Sequence, residues 1–220
     1  SIETSGLIYN KDLISEEELP ENWDEFFKIA EALTVSDGKD GYTQYGTLLN
    51  SRDMWFTYPI IREYGGYYYG QKNDTYNPYD IGLNNDGMLA YIDKMKWAME
   101  NGLVLSTSIQ SESHIVAQFA QGNVAMILYG LWSADTFRNG GIDYGLAKLP
   151  AHSDGSPSLP LATVVGFVIN AHSKKIAAAE EFLLYMFSDE NQQSLIEAGN
   201  RYEKKTGSRN PACKAVIESN

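Results

Sequence analysis

Asn123-Val-Ala-Met-Ile-Leu-Tyr-Gly-Leu-Trp-Ser-Ala-Asp135 decides how this chain is read. Val124 to Leu128 is a continuous apolar run of the length expected for a strand buried on both faces. Tyr129-Gly130 breaks the run and Trp132-Ser133-Ala134-Asp135 opens a helix, so the unit reads strand, tight turn, helix. In an open α/β sheet, ligands bind just beyond the carboxyl ends of the strands. A tryptophan placed there offers a flat apolar face and one N–H donor. Packing is the competing use of Trp132, because large apolar residues near strand ends often close the core.

A second turn of this kind lies upstream. Tyr42 to Leu49 reads as a strand, and Ser51-Arg-Asp-Met-Trp-Phe-Thr-Tyr-Pro59 follows it as Trp132 follows its own strand. Ser51 is the expected cap of a helix running to about Tyr64, with Pro59 near its first turns or kinking it. If the two strands run parallel, both turns open on the same side of the sheet. A carboxylate beside an aromatic face, as at Asp53 to Phe56, suits a neutral polyol. Its hydroxyls take charge-assisted hydrogen bonds and its C–H face lies on the ring.

Around these turns, strands and helices alternate. Gly6 to Tyr9 reads as a strand, and Asn22 caps a helix whose Trp23, Phe26, Phe27, Ala30 and Leu33 share one face. Gly65-Gly66 stops the helix that carries Trp55. Tyr67-Tyr68-Tyr69 and Asp74-Thr75-Tyr76 then form an exposed hairpin or loop, its tyrosines serving as edge-strand cover or as ligand contacts. Asn84 to Gly102 is a helix whose Met88, Ile92, Met95 and Met99 form a stripe read as core. Ser111 to Gln121 is a shorter helix with Ile115, Val116 and Phe119 inward. Ile142 to Leu149 reads as a strand, the loop His152 to Pro160 as the internal boundary, and Thr163 to Ile169 as a buried strand. Lys174 to Phe187 is helical, with Ile176, Ala179, Phe182, Leu183 and Met186 facing one way, and Asp189 begins a helix to about Gly199. This alternation indicates an α/β layered fold.

Composition excludes several functions. With 220 residues and a formal net charge of -12, the chain is a poor partner for a nucleic-acid backbone or an anionic membrane. No apolar run reaches membrane-spanning length. Cys213 is the lone cysteine and three scattered histidines give no zinc spacing, so neither a disulfide nor a metal centre is expected. No nucleophile elbow, phosphate loop or dinucleotide fingerprint occurs, so no cofactor is expected. Two functions stay open on the residues alone: a glycosidase, whose carboxylate pair meets only in space, and a protein-interaction domain using the tyrosine-rich 64–79 loop. The aromatic share stands out, with fifteen tyrosines and four tryptophans.

Several blocks resemble, in order, a known family. They are Gly6-Leu-Ile-Tyr-Asn-Lys-Asp-Leu13, Asn22-Trp-Asp-Glu-Phe26, Trp55-Phe-Thr-Tyr-Pro59 with Gly65-Gly-Tyr67, and Asp80-Ile-Gly-Leu-Asn-Asn85. Phe119-Ala-Gln-Gly-Asn-Val-Ala-Met126, Gly130-Leu-Trp132, Gly145-Leu-Ala-Lys-Leu-Pro150, Ala179-Glu-Glu-Phe-Leu183 and Gly207 to Pro211 follow. The set is similar to the maltose-binding-protein-like sugar receptors of ABC transporters. This resemblance implies an α/β periplasmic-binding-protein-like (type II) fold, mainly one lobe with flanking segments of the other. Residues 1–5 would be a crossover segment, 6–161 the second lobe without its last helices, and 162–220 a crossover with segments of the first lobe. It further implies hinge closure on an oligosaccharide ligand, delivery of the sugar to ABC permease subunits, and an extracytoplasmic place as a cell-surface lipoprotein or periplasmic protein. No catalysis and no membrane insertion of this segment are implied.

By the same resemblance, Trp132 matches the family's stacking tryptophan, Trp55 an aromatic that lies on sugar, and Phe56 its apolar neighbour. Asp53 matches an acidic hydroxyl ligand that is Glu in the maltose receptor, so its reach differs. Glu3 matches an acidic contact at the crossover, and Arg209 lies in a segment that reaches the cleft in some relatives. A chain holding half of a cleft is expected to bind sugar weakly or not at all on its own.

Overall fold

The apolar run Val124–Tyr129 is a strand with all six residues buried. The computed structural model describes residues 1–39, 41–73, 75–105, 112–199, 201, 214 and 217. In chain order, β1 (Ile2–Thr4) is followed by β2 (Gly6–Asn10), α1 (Trp23–Ala32), β3 (Val35–Ser36) and β4 (Tyr42–Thr47). Next come α2 (Met54–Glu63), the hairpin β5 (Gly70–Lys72) and β6 (Thr75–Asn77), α3 (Asp86–Glu100) and α4 (Glu112–Ala120). Then follow β7 (Val124–Tyr129), α5 (Ala134–Asn139), β8 (Tyr144–Ala147), β9 (Ala162–Val164), α6 (Ile176–Met186) and α7 (Asp189–Ala198).

The chain divides into two compact units. The larger holds Ser5–Tyr129 and Thr136–Leu161; the smaller holds Ser1–Thr4, Gly130–Asp135 and Ala162–Asn220. In the larger unit a five-stranded sheet has the order β3-β4-β7-β2-β8. β7 lies parallel to β4 and antiparallel to β2, in the register Leu7↔Leu128, Ile8↔Ile127 and Tyr9↔Met126. The two-residue period sends successive side chains to opposite faces, which is why a central strand buried on both faces is apolar throughout. Leu7, Tyr9, Met126 and Leu128 join one core cluster, while Ile8, Ile127 and Tyr129 join the other.

Helices cover both faces. Asn22 caps α1, its Oδ1 accepting from the Glu25 N–H at 3.0 Å, and Trp23, Phe26, Phe27 and Ala30 are buried as their spacing predicts. α3 departs from its expected stripe. Its buried residues are Tyr91, Met95 and Ala98, whereas Ile92 and Met99 are 39% and 40% exposed. The inward face follows an i, i+4, i+7 track from Tyr91, one residue back from the track through Ile92, because the Tyr91 hydroxyl meets the buried Thr57 hydroxyl at 2.9 Å. Ile115 and Phe119 of α4 and Phe137 of α5 fill the second face. The 152–160 loop is tied to this unit: Trp23 Nε1 donates to Ser158 Oγ at 2.9 Å, and His152 Nδ1 lies 2.9 Å from Glu63 Oε2. The divisions between units fall after Thr4, Tyr129, Asp135 and Leu161, the last of them just beyond this loop.

The smaller unit corrects one strand. Of the Thr163 to Ile169 run only the start is strand, and it is exposed rather than buried. Among the described residues β9 pairs antiparallel with β1 alone, in a two-stranded ribbon. α6 and α7 form where periodicity and the Ser188 cap place them, and neither has a buried residue. Residues 202–213, which include Arg209 and Cys213, lie outside the described residues.

Candidate functional site

The parallel pairing of β4 with β7 puts the carboxyl ends of both strands, at Thr47 and Tyr129, on one edge of the sheet. Beyond β4, Leu48 and Leu49 stay buried, and Leu49 exchanges backbone hydrogen bonds with Leu103 and Leu105. The chain then turns through Asn50, whose carbonyl accepts from the Asp53 N–H at 3.3 Å. Asp53, not Ser51, caps α2: its Oδ1 accepts from the Trp55 N–H at 3.0 Å. A carboxylate fits this position well, because it answers an orphan N–H and sits at the positive end of the helix dipole. Asp53 Oδ2 is not used by that bond, so the carboxylate keeps an acceptor for a ligand hydroxyl.

The rings at the start of α2 form a graded stack. Trp55 meets Phe56 edge-on, with ring centroids 5.0 Å apart. Phe56 is 6% exposed and stacks on Tyr129, at 5.0 Å and 8° between planes. The Tyr129 hydroxyl donates in turn to the Glu112 carboxylate. Phe56 therefore backs Trp55 from the core side, while Trp55 remains only partly buried. Tyr58 and Tyr68 stack at 4.9 Å with planes 3° apart. The sequence reading did not single out Tyr129, Glu112, Tyr58 or Tyr68 as site residues. For Tyr58 a signal existed, since it lies three residues after Trp55 on one helix. For Glu112 none did, because its partner is 17 positions away.

Glu3 and Trp132 belong to the smaller unit. Glu3 is the middle residue of β1, opposite Thr163, and half-buried. Trp132 is the central residue of a single 3-10 turn, Leu131–Ser133, and is 37% exposed. Its ring lies over Gly130 so closely that a Cβ there would overlap it, so a glycine before this tryptophan is a packing requirement. The structure thus groups Asp53, Trp55 and Phe56 around one helix start, and carries Glu3 and Trp132 on the other unit. An open groove of about 920 Å³ lies elsewhere in the larger unit, lined by Leu7, Leu19, Leu149 and Pro157 among others and by none of the expected site residues. Among the described residues no group of three or more metal-ligating side chains occurs, and no helix is long and apolar enough to cross a membrane.

The family profile of the bacterial extracellular solute-binding proteins matches residues 1–193. The chain belongs to that family. A galactooligosaccharide-binding protein of Bacillus subtilis is 30% identical over 200 residues, covering 90% of this chain and 46% of that protein. A maltooligosaccharide ABC transporter solute-binding lipoprotein of Streptococcus pneumoniae is 27% identical over 213 residues, covering 96% of this chain and 49% of that one. The crystal structure of a cyclo/maltodextrin-binding protein complexed with maltotetraose superposes with a TM-score of 0.78 at 26% identity, over 99% of this chain and 52% of that one. The fold is therefore that of a type II periplasmic-binding protein, represented in part. The chain spans about half the length of the curated relatives it matches. Membership of an extracellular family makes the chain extracytoplasmic, and the named relatives are binding proteins rather than enzymes.

Proposed function

We propose that this chain is part of the sugar-binding machinery of a receptor that hands an oligosaccharide to an ABC import permease, and that it catalyses no reaction. One observation carries the reading: a capping carboxylate, Asp53, and a partly exposed indole, Trp55, sit side by side where two parallel strands end. That pairing suits a neutral polyol, whose hydroxyl donates to the carboxylate while its C–H face covers the ring. The names of the relatives support the same ligand class, since they bind galactooligosaccharides or belong to maltooligosaccharide transport. In this reading Phe56 braces Trp55, and Trp132 supplies a second ring. Glu3 and Arg209 add a hydroxyl acceptor and a donor. Residues 6–161 act as one lobe, with 1–5 and 162–220 as crossover and opposite-lobe segments.

Titration of the chain with maltooligosaccharides and galactooligosaccharides, followed by tryptophan fluorescence, tests the proposal. Weak, saturable binding is the expected result, with the signal reduced in Trp132→Ala and affinity lost in Trp55→Ala. Intact sugar should be recovered afterwards. Cleavage of the sugar, or binding indifferent to both substitutions, would overturn it.

A further inference from the structure

Trp55 and Tyr58 stand three residues apart on α2, so their side chains leave the same side of the helix. The residues between and after them, Phe56, Thr57 and Pro59, are buried, while Trp55 and Tyr58 keep partial exposure. Gly65, at φ 90, and Gly66, whose N–H donates to the Ile61 carbonyl at 2.9 Å, turn the chain back onto this helix. A Cβ on Gly66 would lie 2.7 Å from Ile61 Cγ2, so the return is as tight as glycine allows. It brings Tyr68 flat against Tyr58. Tyr68 also lies within the field of Asp53: its phenol is held above the ordinary range, first by burial and then by the Asp53 carboxylate. At neutral pH that hydroxyl keeps its proton and remains a donor.

Resting on the reading of Asp53 and Trp55 as a sugar contact, we propose that the stacked pair Tyr58 and Tyr68 is a second sugar-stacking subsite beside Trp55. The larger unit then engages two consecutive pyranose rings of an oligosaccharide. Three residues along an α-helix advance roughly 4.5 Å, comparable with the length of one sugar ring. Asp53 with Trp55 and, three residues further along α2, Tyr58 with its stacked partner Tyr68 thus form two neighbouring polar-plus-aromatic groups. A stacked phenol pair is pre-organised, since each ring fixes the other and little rotamer freedom remains to be lost on binding.

The test compares sugars of increasing length on the 220-residue chain. Affinities for a disaccharide and a hexasaccharide of the maltose series, and of the galactose series, are measured by NMR titration, which reads millimolar binding. In the unmodified protein the Tyr68 ring resonances should shift with the hexasaccharide and much less with the disaccharide. The ratio of hexasaccharide to disaccharide affinity should fall about tenfold in Tyr68→Ala and be largely kept in Tyr68→Phe. Tyr68 resonances indifferent to the hexasaccharide would overturn the subsite even if Tyr68→Ala failed to fold. So would a Tyr68→Phe ratio as low as that of Tyr68→Ala, which would remove stacking as the cause. Failure of the underlying reading looks different: neither series then binds, or Trp55→Ala leaves both affinities in place.

Discussion

β7 and α6 are both rich in apolar residues, and only one of them is buried. Every residue of Val124–Tyr129 is inside, whereas in Ile176–Met186 Phe182 is 58% and Leu184 76% exposed. The difference lies in the neighbours. β7 has β4 on one side, β2 on the other, and helices on both faces of the sheet. β9, a strand of α6's unit, has β1 alone beside it among the described residues. Local rules place elements wherever period and caps are right, but burial needs a second surface, and most helical stability comes from packing rather than propensity.

Paired substitutions test this contrast. Phe26→Ala should have the largest effect, because Phe26 is fully buried and packs edge-on against Trp23 and Phe27 at 5.4 Å. A loss of about 3–5 kcal/mol is expected in denaturant unfolding, against less than about 1 kcal/mol for Phe182→Ala at an exposed site. A comparable loss for both would mean that α6 is packed in solution. Gly46→Ala comes next. Its Cβ would fall within the Ala30 carbonyl where β4 crosses α1, while Gly166 in the smaller unit has open space around it. Overpacking of this kind costs about 1–3 kcal/mol or more, and Gly166→Ala should leave the melting temperature near that of the parent.

Caps should level the two units, since a cap is a local device. Asp53→Ala and Ser188→Ala each remove a side-chain acceptor from a helix start, and each should cost about 0.5–2 kcal/mol of helix stability by circular dichroism. Asp53→Asn keeps the cap. If it restores helix content but not sugar affinity, the two roles of that carboxylate separate. The smallest effect concerns Tyr64, whose phenol is pushed up to about 12, first by burial and then by the charges of Asp24 and Glu63. A raised folded-state value means that stability is level below pH 10 and falls as pH climbs from about 10 towards about 12. Tyr64→Phe should flatten that slope in urea titrations across this window.

Much of the larger unit was readable in advance. The runs at Gly6 and Val124, the Asn22 cap and the aromatic face from Trp23 to Ala30 all follow from period and polarity over a few residues. Those signals are short-range, so a linear reading captures them. The α3 stripe is legible in part: Met95 is buried and Met88 packs against the core, while Ile92 and Met99 lie at the surface and Tyr91 and Ala98 turn inward. The Tyr91 hydroxyl pairs with that of Thr57, a long-range partner no local pattern announces. The sequence offers Ser51 as the cap of α2, whereas the fold gives that role to Asp53. The ring stack from Trp55 to Tyr129 joins residues 74 positions apart in sequence, Trp55 and Phe56 on α2 meeting Tyr129 at the end of β7, and no local pattern announces it.

The amino-acid order alone determined where most strands and helices fall and that aromatics cluster after two strands, because hydrogen-bond caps and side-chain periodicity act over one or two turns. Tertiary structure alone decided that β4 and β7 run parallel, that Phe56 goes inside while Trp55 stays at the surface, and that the apolar run after Ala162 is left exposed. Those outcomes depend on which surfaces meet, and burial is a property of the meeting rather than of either sequence segment by itself.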